Sequence, residues 1–271
     1  MPAKLCLVGI FYFCIIMLPI SAVIITFNEE QNIRRCINSL QELVSEIVVV
    51  DSFSKDKTKE ICAEFSKVRF IEHAFEGHIQ QKNYALDQAQ NDFVISLDAD
   101  EALSDELRDA IKEIDFTKPA SAYKFNRLSN YCGKWIRHGS WYPDVKMRLF
   151  NRHMVRWKGT NPHDRAELLD GGKAIYLSGD LLHYTFSTID EQIRKLDYFS
   201  TLAAKAYLEK GRRATLFNLY IRPPFAFFRD YVLRLGLLDG YYGYIIARNT
   251  AVYTFNKYRK LRHLHLNSKR S

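Results

Sequence analysis

The chain has 271 residues, 47% hydrophobic and 26% charged, enough for one sizeable α/β domain with an appendage and too apolar for a disordered or collagen-like chain. Its net charge of +8 belongs to the tail: from Gly240 to Ser271 there is no acidic residue, and seven basic ones (Arg248, Lys257, Arg259, Lys260, Arg262, Lys269, Arg270) supply nearly all of it. The first 239 residues are thus close to neutral, which speaks against nucleic acid as a partner, and five scattered cysteines without a CxxC pair argue against a disulfide framework or a cysteine zinc site and for a reducing compartment.

Residues 5–28 carry no charge. Residues 5–18 read either as a signal-like or anchoring segment or, with Met17 just ahead of the first strand, as an over-extended start; they are short for a span of ~20 residues. Residues 1–19 are therefore set apart as an apolar extension of open role.

The run 21–26, β-branched from Val23 onward, reads as a strand buried on both faces. Asn28 can cap the helix that follows, with Ile33, Cys36, Ile37 and Leu40 at helical spacing. A second strand, 46–50, ends at Asp51, and Ser54 opens a helix with Thr58, Ile61, Cys62 and Phe65 on its buried side. A short strand at 68–71, a helix at 80–90 and a strand at 93–97 come next, then a helix capped by Ser104. Such alternation predicts an α/β fold with a mostly parallel central sheet. Ligands in such sheets bind beyond the carboxyl ends of the strands, where this chain places Thr26-Phe27-Asn28-Glu29, Asp51 and Asp98-Ala99-Asp100. After Pro119 strands are expected at 121–130, 146–151, 174–177 and 181–186, and an amphipathic helix at 190–209. Residues 222–262 are aromatic, apolar and basic, suiting a helix pair in the interface of an anionic membrane surface. Aromatics that merely close the core are the alternative.

Asp98 and Asp100 leave one strand end together, and like charges so close repel unless a cation joins them. A hard divalent ion, Mg²⁺ or Mn²⁺, bound by carboxylate and phosphate oxygens supplies it. His183, after an apolar strand, either completes that coordination or is a core histidine. A general base would be a further carboxylate C-terminal to this pair, in a loop facing the bound substrate. Asp164, in Gly159-Thr-Asn-Pro-His-Asp164, fits best, with Asp144 and Glu167 as rivals. Trp141 or Trp157 offers an aromatic face to a bound substrate.

Val23-Ile-Ile-Thr-Phe-Asn-Glu-Glu30, Val48-Val-Val-Asp-Ser-Phe-Ser-Lys-Asp-Lys-Thr58 and Ile95-Ser-Leu-Asp-Ala-Asp-Glu101 resemble the three sequence blocks of the family-two inverting glycosyltransferases, whose fold is called GT-A. Lys146-Met-Arg-Leu-Phe-Asn-Arg152, Trp157-Lys-Gly159 and His163-Asp164 resemble that family's bacterial lipopolysaccharide-core branch, which adds glucose to inner-core heptose. The resemblance implies a UDP-sugar donor, with Phe27 against the uracil ring, Asp51 accepting hydrogen bonds from the base, Asp98 at the ribose or metal and Asp100 on the metal. It puts Lys82 and Asn83 near the phosphates, in place of the family's Arg-Asn pair. An exposed lysine on a helix surface is the other reading of Lys82. Residues 20–118 become a nucleotide-sugar-binding half, 119–211 an acceptor-binding half of the same domain, and 212–271 a helical membrane-surface segment. The acceptor implied is a lipid-linked saccharide met at the cytoplasmic face of the inner membrane. A polyprenyl-phosphate acceptor fits the same features, as does a catalytically silent adaptor. A dinucleotide-binding oxidoreductase does not, because Thr26-Phe-Asn-Glu-Glu30 lacks the glycine fingerprint.

Overall fold

A computed structural model describes residues 17–160, 163–169 and 171–267; the N-terminal extension up to residue 16 and the last four residues lie outside that set. In the first half, β1 (Leu18–Thr26), α1 (Ile33–Leu40), β2 (Val44–Asp51), α2 (Thr58–Ala63), β3 (Val68–Glu72), α3 (His78–Gln88) and β4 (Phe93–Asp98) alternate as the sequence predicts. They make a parallel sheet in the order β3-β2-β1-β4. The strands read as unbroken apolar runs because both faces are covered. Ala22, Ile24, Ile47, Val49, Ile95 and Leu97 pack in one buried cluster with α1 residues, while Val23, Val48, Val50 and Val94 pack in another with Ala85 and Leu86 of α3. Truncating a fully buried residue such as Ile24 to alanine would cost ~2–5 kcal/mol.

The second half is mixed. β5 (Glu101–Leu103), α4 (Asp105–Lys112), β6 (Ala122–Tyr131), β7 (Lys134–Ile136) and β8 (Val145–Asn151) follow. A hairpin of β9 (Val155–Thr160) and β10 (His163–Leu168) precedes β11 (Ala174–Phe186). β8 runs antiparallel to β4 and β6, so the parallel arrangement stops at β4 and the curled sheet continues β8-β6-β11-β5.

Several expectations are corrected. Ser54 does not open a helix; its amide and hydroxyl both donate to Asp51, and Lys55 N–H donates to the Asn28 side chain at 2.8 Å. These side-chain acceptors compete with helical hydrogen bonds, which delays α2 to Thr58. Asn28 therefore braces this loop instead of capping α1, whose N-cap residue is Asn32. The two strands expected between 174 and 186 are one, bulged near Gly179, where φ is +91° and a Cβ would collide with the Leu107 backbone. Asp164 lies on β10, not in a loop.

α5 (Ile189–Glu209) packs along α8 (Gly240–Asn267). Between them come α6 (Leu216–Tyr220), α7 (Arg222–Phe228), a π-helical turn at Arg229–Leu233 and a 3₁₀ turn at Gly236–Asp239, in place of the expected pair of helices. Some of its aromatics are inward: Tyr242 joins Tyr131, Ile136, Ile245 and Ile246 in a cluster, and Phe255 packs with Leu219, Tyr258 and Leu261.

Candidate functional site

The carboxyl ends of β1, β2 and β4 open into a cavity of about 1270 Å³. Thr26, Phe27, Glu29, Ser52, Asp98 and Asp100 line it from the parallel half; Lys124, Arg127, Lys146 and Arg148 line it from β6 and β8. Lys82 enters from α3, Trp157 and Asp164 from the hairpin, His183 from β11 and Phe199 from α5.

Asp98, the last residue of β4, is held on three sides. Its N–H donates to Glu101 at 3.0 Å, Lys82 Nζ lies 3.0 Å from Oδ1, and an Arg148 amino group lies 2.9 Å from Oδ2. Burial pushes the Asp98 carboxyl up, but Lys82 and Arg148 beside it outweigh that and hold it well below the usual carboxylate range. Arg148 also reaches fully buried Glu101 at 2.8 Å, and Arg127 joins Glu101 to Asp144. Protein cations therefore supply much of the neutralisation that the sequence assigned to a metal at Asp98.

Asp100 is different. Its Oδ2 lies 3.3 Å from His183 Nε2, while His183 Nδ1 is 3.0 Å from the Thr185 hydroxyl. Among the described residues no three His, Cys, Asp or Glu side chains converge as a ready shell. A carboxylate oxygen and an imidazole nitrogen on one cavity wall nevertheless suit a divalent ion whose remaining ligands are phosphate oxygens and water, as Mg²⁺ and Mn²⁺ accept.

Lys82 is no exposed surface lysine: its side chain is 5% exposed, with Nζ 2.8 Å from Asp164 Oδ2 and 4.3 Å from the Trp157 ring centroid. It therefore bridges Asp98 and Asp164. Of the three candidate bases only Asp164 lines the cavity; Asp144 is tied to Arg127 and Lys146, and Glu167 to Arg165. Glu29 lines the cavity too, its carboxyl pushed up by burial and by the charge of Asp100.

Four of the expected contacts stand away from the cavity lining. Both carboxylate oxygens of Asp51 accept from Ser54, and Ser52 faces the cavity in its place. Asn28 braces the same loop. Asn83 clamps α3 to β9, its amide donating to and accepting from the Trp157 backbone at 2.9 and 3.0 Å. Trp141 packs against Tyr131 and Phe186, away from the cavity lining. Arg148 and Glu101 were given no role from the sequence, although both fall in segments singled out there. Thr26 Oγ1, Arg148 Nε and Trp157 Nε1 are buried and have no hydrogen-bond partner among the described residues, although their side chains border the cavity.

The family model described as glycosyl transferase family 2 matches residues 21–173. An uncharacterized glycosyltransferase of Rickettsia typhi is 31% identical over 93% of this chain and 90% of its own length. The lipopolysaccharide core biosynthesis glycosyltransferase LpsC of Rhizobium meliloti is 32% identical over 88% of this chain and 90% of its own. Among solved structures, residues 1–349 of Staphylococcus aureus TarS in complex with UDP align over 92% of this chain and 91% of that one, with a TM-score of 0.47 and 16% identity.

Proposed function

The chain belongs to glycosyl transferase family 2, and from that premise we propose that it moves a hexose, glucose first, from a UDP-sugar to a lipid-linked saccharide in lipopolysaccharide-core or envelope glycan synthesis, inverting the transferred carbon. The observation that carries this reading is the Asp98–Lys82–Asp164 bridge inside one cavity at the strand ends.

The nucleotide lies along the ends of β1 and β2, with its base against exposed Phe27. Lys82 and Arg148 bring positive charge to the edge that receives the diphosphate. Asp164 takes the proton of an acceptor hydroxyl as that oxygen bonds to the sugar carbon; the bond to the diphosphate breaks and its electron pair leaves with UDP. Asp164 is paired with Lys82 at 2.8 Å, and an anionic donor competes for the same ammonium, leaving the carboxylate free for the acceptor. Asp100 and His183 would hold Mg²⁺ or Mn²⁺, which neutralises the departing diphosphate when bound. Trp157, 4% exposed with Lys82 and Arg148 over its ring, backs the cavity wall and positions those cations instead of stacking on the acceptor.

A donor of this kind is cytoplasmic and a lipid-linked acceptor lies in the membrane, which places the enzyme peripherally at the cytoplasmic face of the inner membrane. No helix among the described residues is long and apolar enough to cross a membrane. The test is UDP release from a panel of UDP-hexoses with lipid-linked core acceptor, with Mn²⁺ and with chelator. Release with one hexose, abolished by chelator, is expected; near-normal release in chelator removes the metal, and no release from any UDP-hexose removes the donor class.

A further inference from the structure

The segment linking α5 to α8 has its polarity reversed. Among the described residues, thirteen of the 26 exposed large apolar side chains fall between positions 216 and 244. Phe217 is 58% exposed, Tyr220 65%, Phe225 56%, Leu233 60% and Leu238 58%. Scattered apolar residues are ordinary on a surface, but a concentration like this marks an interface. The carboxylates behave oppositely. Between residues 210 and 267 the acidic residues are Asp230 and Asp239, and they are 1% and 4% exposed. Arg212, Arg213, Arg222 and Arg234 are exposed, so the outer face carries apolar groups and positive charge with no exposed carboxylate.

Resting on the peripheral-membrane reading above, we propose that residues 216–241 are an apolar wedge that enters the headgroup–acyl boundary of an anionic bilayer and sets the height of the cavity above it. The sequence assigned surface binding to residues 222–262 and the basic tail; the exposures move it forward and make it chiefly apolar. α6 and α7 have five and seven residues, far short of the ~20 needed to span a membrane, so the wedge lies in the interface. A second copy of the chain is a poorer occupant, because a two-fold contact would set these arginines against their own kind. Anionic headgroups attract them.

The wedge is tied to the catalytic wall. Ser140 Oγ donates to Asp230 at 2.8 Å, His138 N–H donates to Asp239 at 2.8 Å, and Gly139 N–H donates to the Arg234 carbonyl at 2.8 Å. The loop containing Ser140 leads directly into β8, which presents Lys146 and Arg148 to the cavity. The wedge is therefore attached, through this loop, to a strand that forms part of the cavity wall.

The test uses the full chain and vesicles of phosphatidylglycerol with phosphatidylcholine, or of phosphatidylcholine alone, at low and high salt. Phe217→Ser, Phe225→Ser and Leu233→Ser combined should weaken partitioning at least ~tenfold at both salts, since three side chains no longer leave water. Arg212→Gln, Arg213→Gln and Arg234→Gln combined should weaken it at low salt on anionic vesicles only. Acceptor-independent release of UDP from the UDP-hexose should be unchanged in both. Wild-type binding by the triple serine variant overturns the wedge, as does a lipid-free dimer that the same substitutions turn into monomer by light scattering. If the wild type releases UDP from no UDP-hexose while vesicle binding falls as described, the transfer reading fails and the wedge stands.

Discussion

The strand-end cavity and the 216–241 segment distribute the same kinds of side chain in opposite ways. At the cavity, charged groups face the opening and the apolar β-branched residues behind them are fully covered: Ile24, Val48 and Val94 are 0% exposed. In the C-terminal segment most large apolar side chains face outward, and Asp230 and Asp239 are buried as hydrogen-bond acceptors. The contrast teaches that exposure, not composition, separates a region built for chemistry from one built for placement. Damage to one should leave the other intact.

The largest effect is expected from Asp164→Asn. Loss of the base should lower turnover by ~10²–10⁴, with vesicle binding unchanged and UDP bound no more weakly, because Lys82 is released from its competing carboxylate, measured by steady-state kinetics beside calorimetry. An active Asp164→Asn with a dead Asp144→Asn or Glu167→Gln places the base elsewhere. Next comes Arg148→Met, which leaves Glu101 at 0% side-chain exposure without its 2.8 Å cation. It should destabilise the fold by ~3–5 kcal/mol, read by urea denaturation. A loss below ~1 kcal/mol would mean that Arg127 alone satisfies Glu101. Asp100→Asn should fold normally, lower transfer ~100-fold and abolish the extra stabilisation that Mn²⁺ gives the UDP-bound protein.

The smallest effect concerns pH. Burial raises the Asp144 carboxyl, but Lys146 and Arg127 outweigh it and hold the group below its ordinary range. A depressed folded pKa gives stability that is complete above the unfolded value of ~3.9 and is lost as pH falls through the folded one. Asp144→Asn should therefore cost about 1 kcal/mol at neutral pH, and thermal melts of the two proteins should converge below pH ~4. A gap that persists in acid would show that packing, not charge, holds Asp144.

The parallel half was legible because a strand buried on both faces writes an unbroken apolar run, and the run ends where the polar residue appears, as at Thr26, Asp51 and Asp98. Reach was not legible. Asp51 and Asn83 sit at the expected positions, yet Ser54 and the Trp157 backbone claim their polar atoms. The alternation of Val155 and Trp157 with Arg156 and Lys158 carries a strand signal that would have put Asp164 on a hairpin. Arg148 and Glu101 escaped because a buried ion pair looks in sequence like any two surface charges. The C-terminal aromatics could be counted but not sorted, since helical turns of three kinds within residues 216–239 erase a single period.

The central claim is that the strand-end cavity takes a uridine diphosphate together with a divalent ion. Thermal shift of the full chain with UDP, GDP, ADP and CDP, each with and without Mn²⁺, tests it most directly. A ligand at a hundredfold excess over its dissociation constant stabilises the native state by ~2.7 kcal/mol. The account predicts a clear shift for UDP that Mn²⁺ enlarges and that Asp100→Asn reduces to the metal-free value. A larger shift with another nucleotide, or a UDP shift indifferent to both Mn²⁺ and Asp100→Asn, would contradict it.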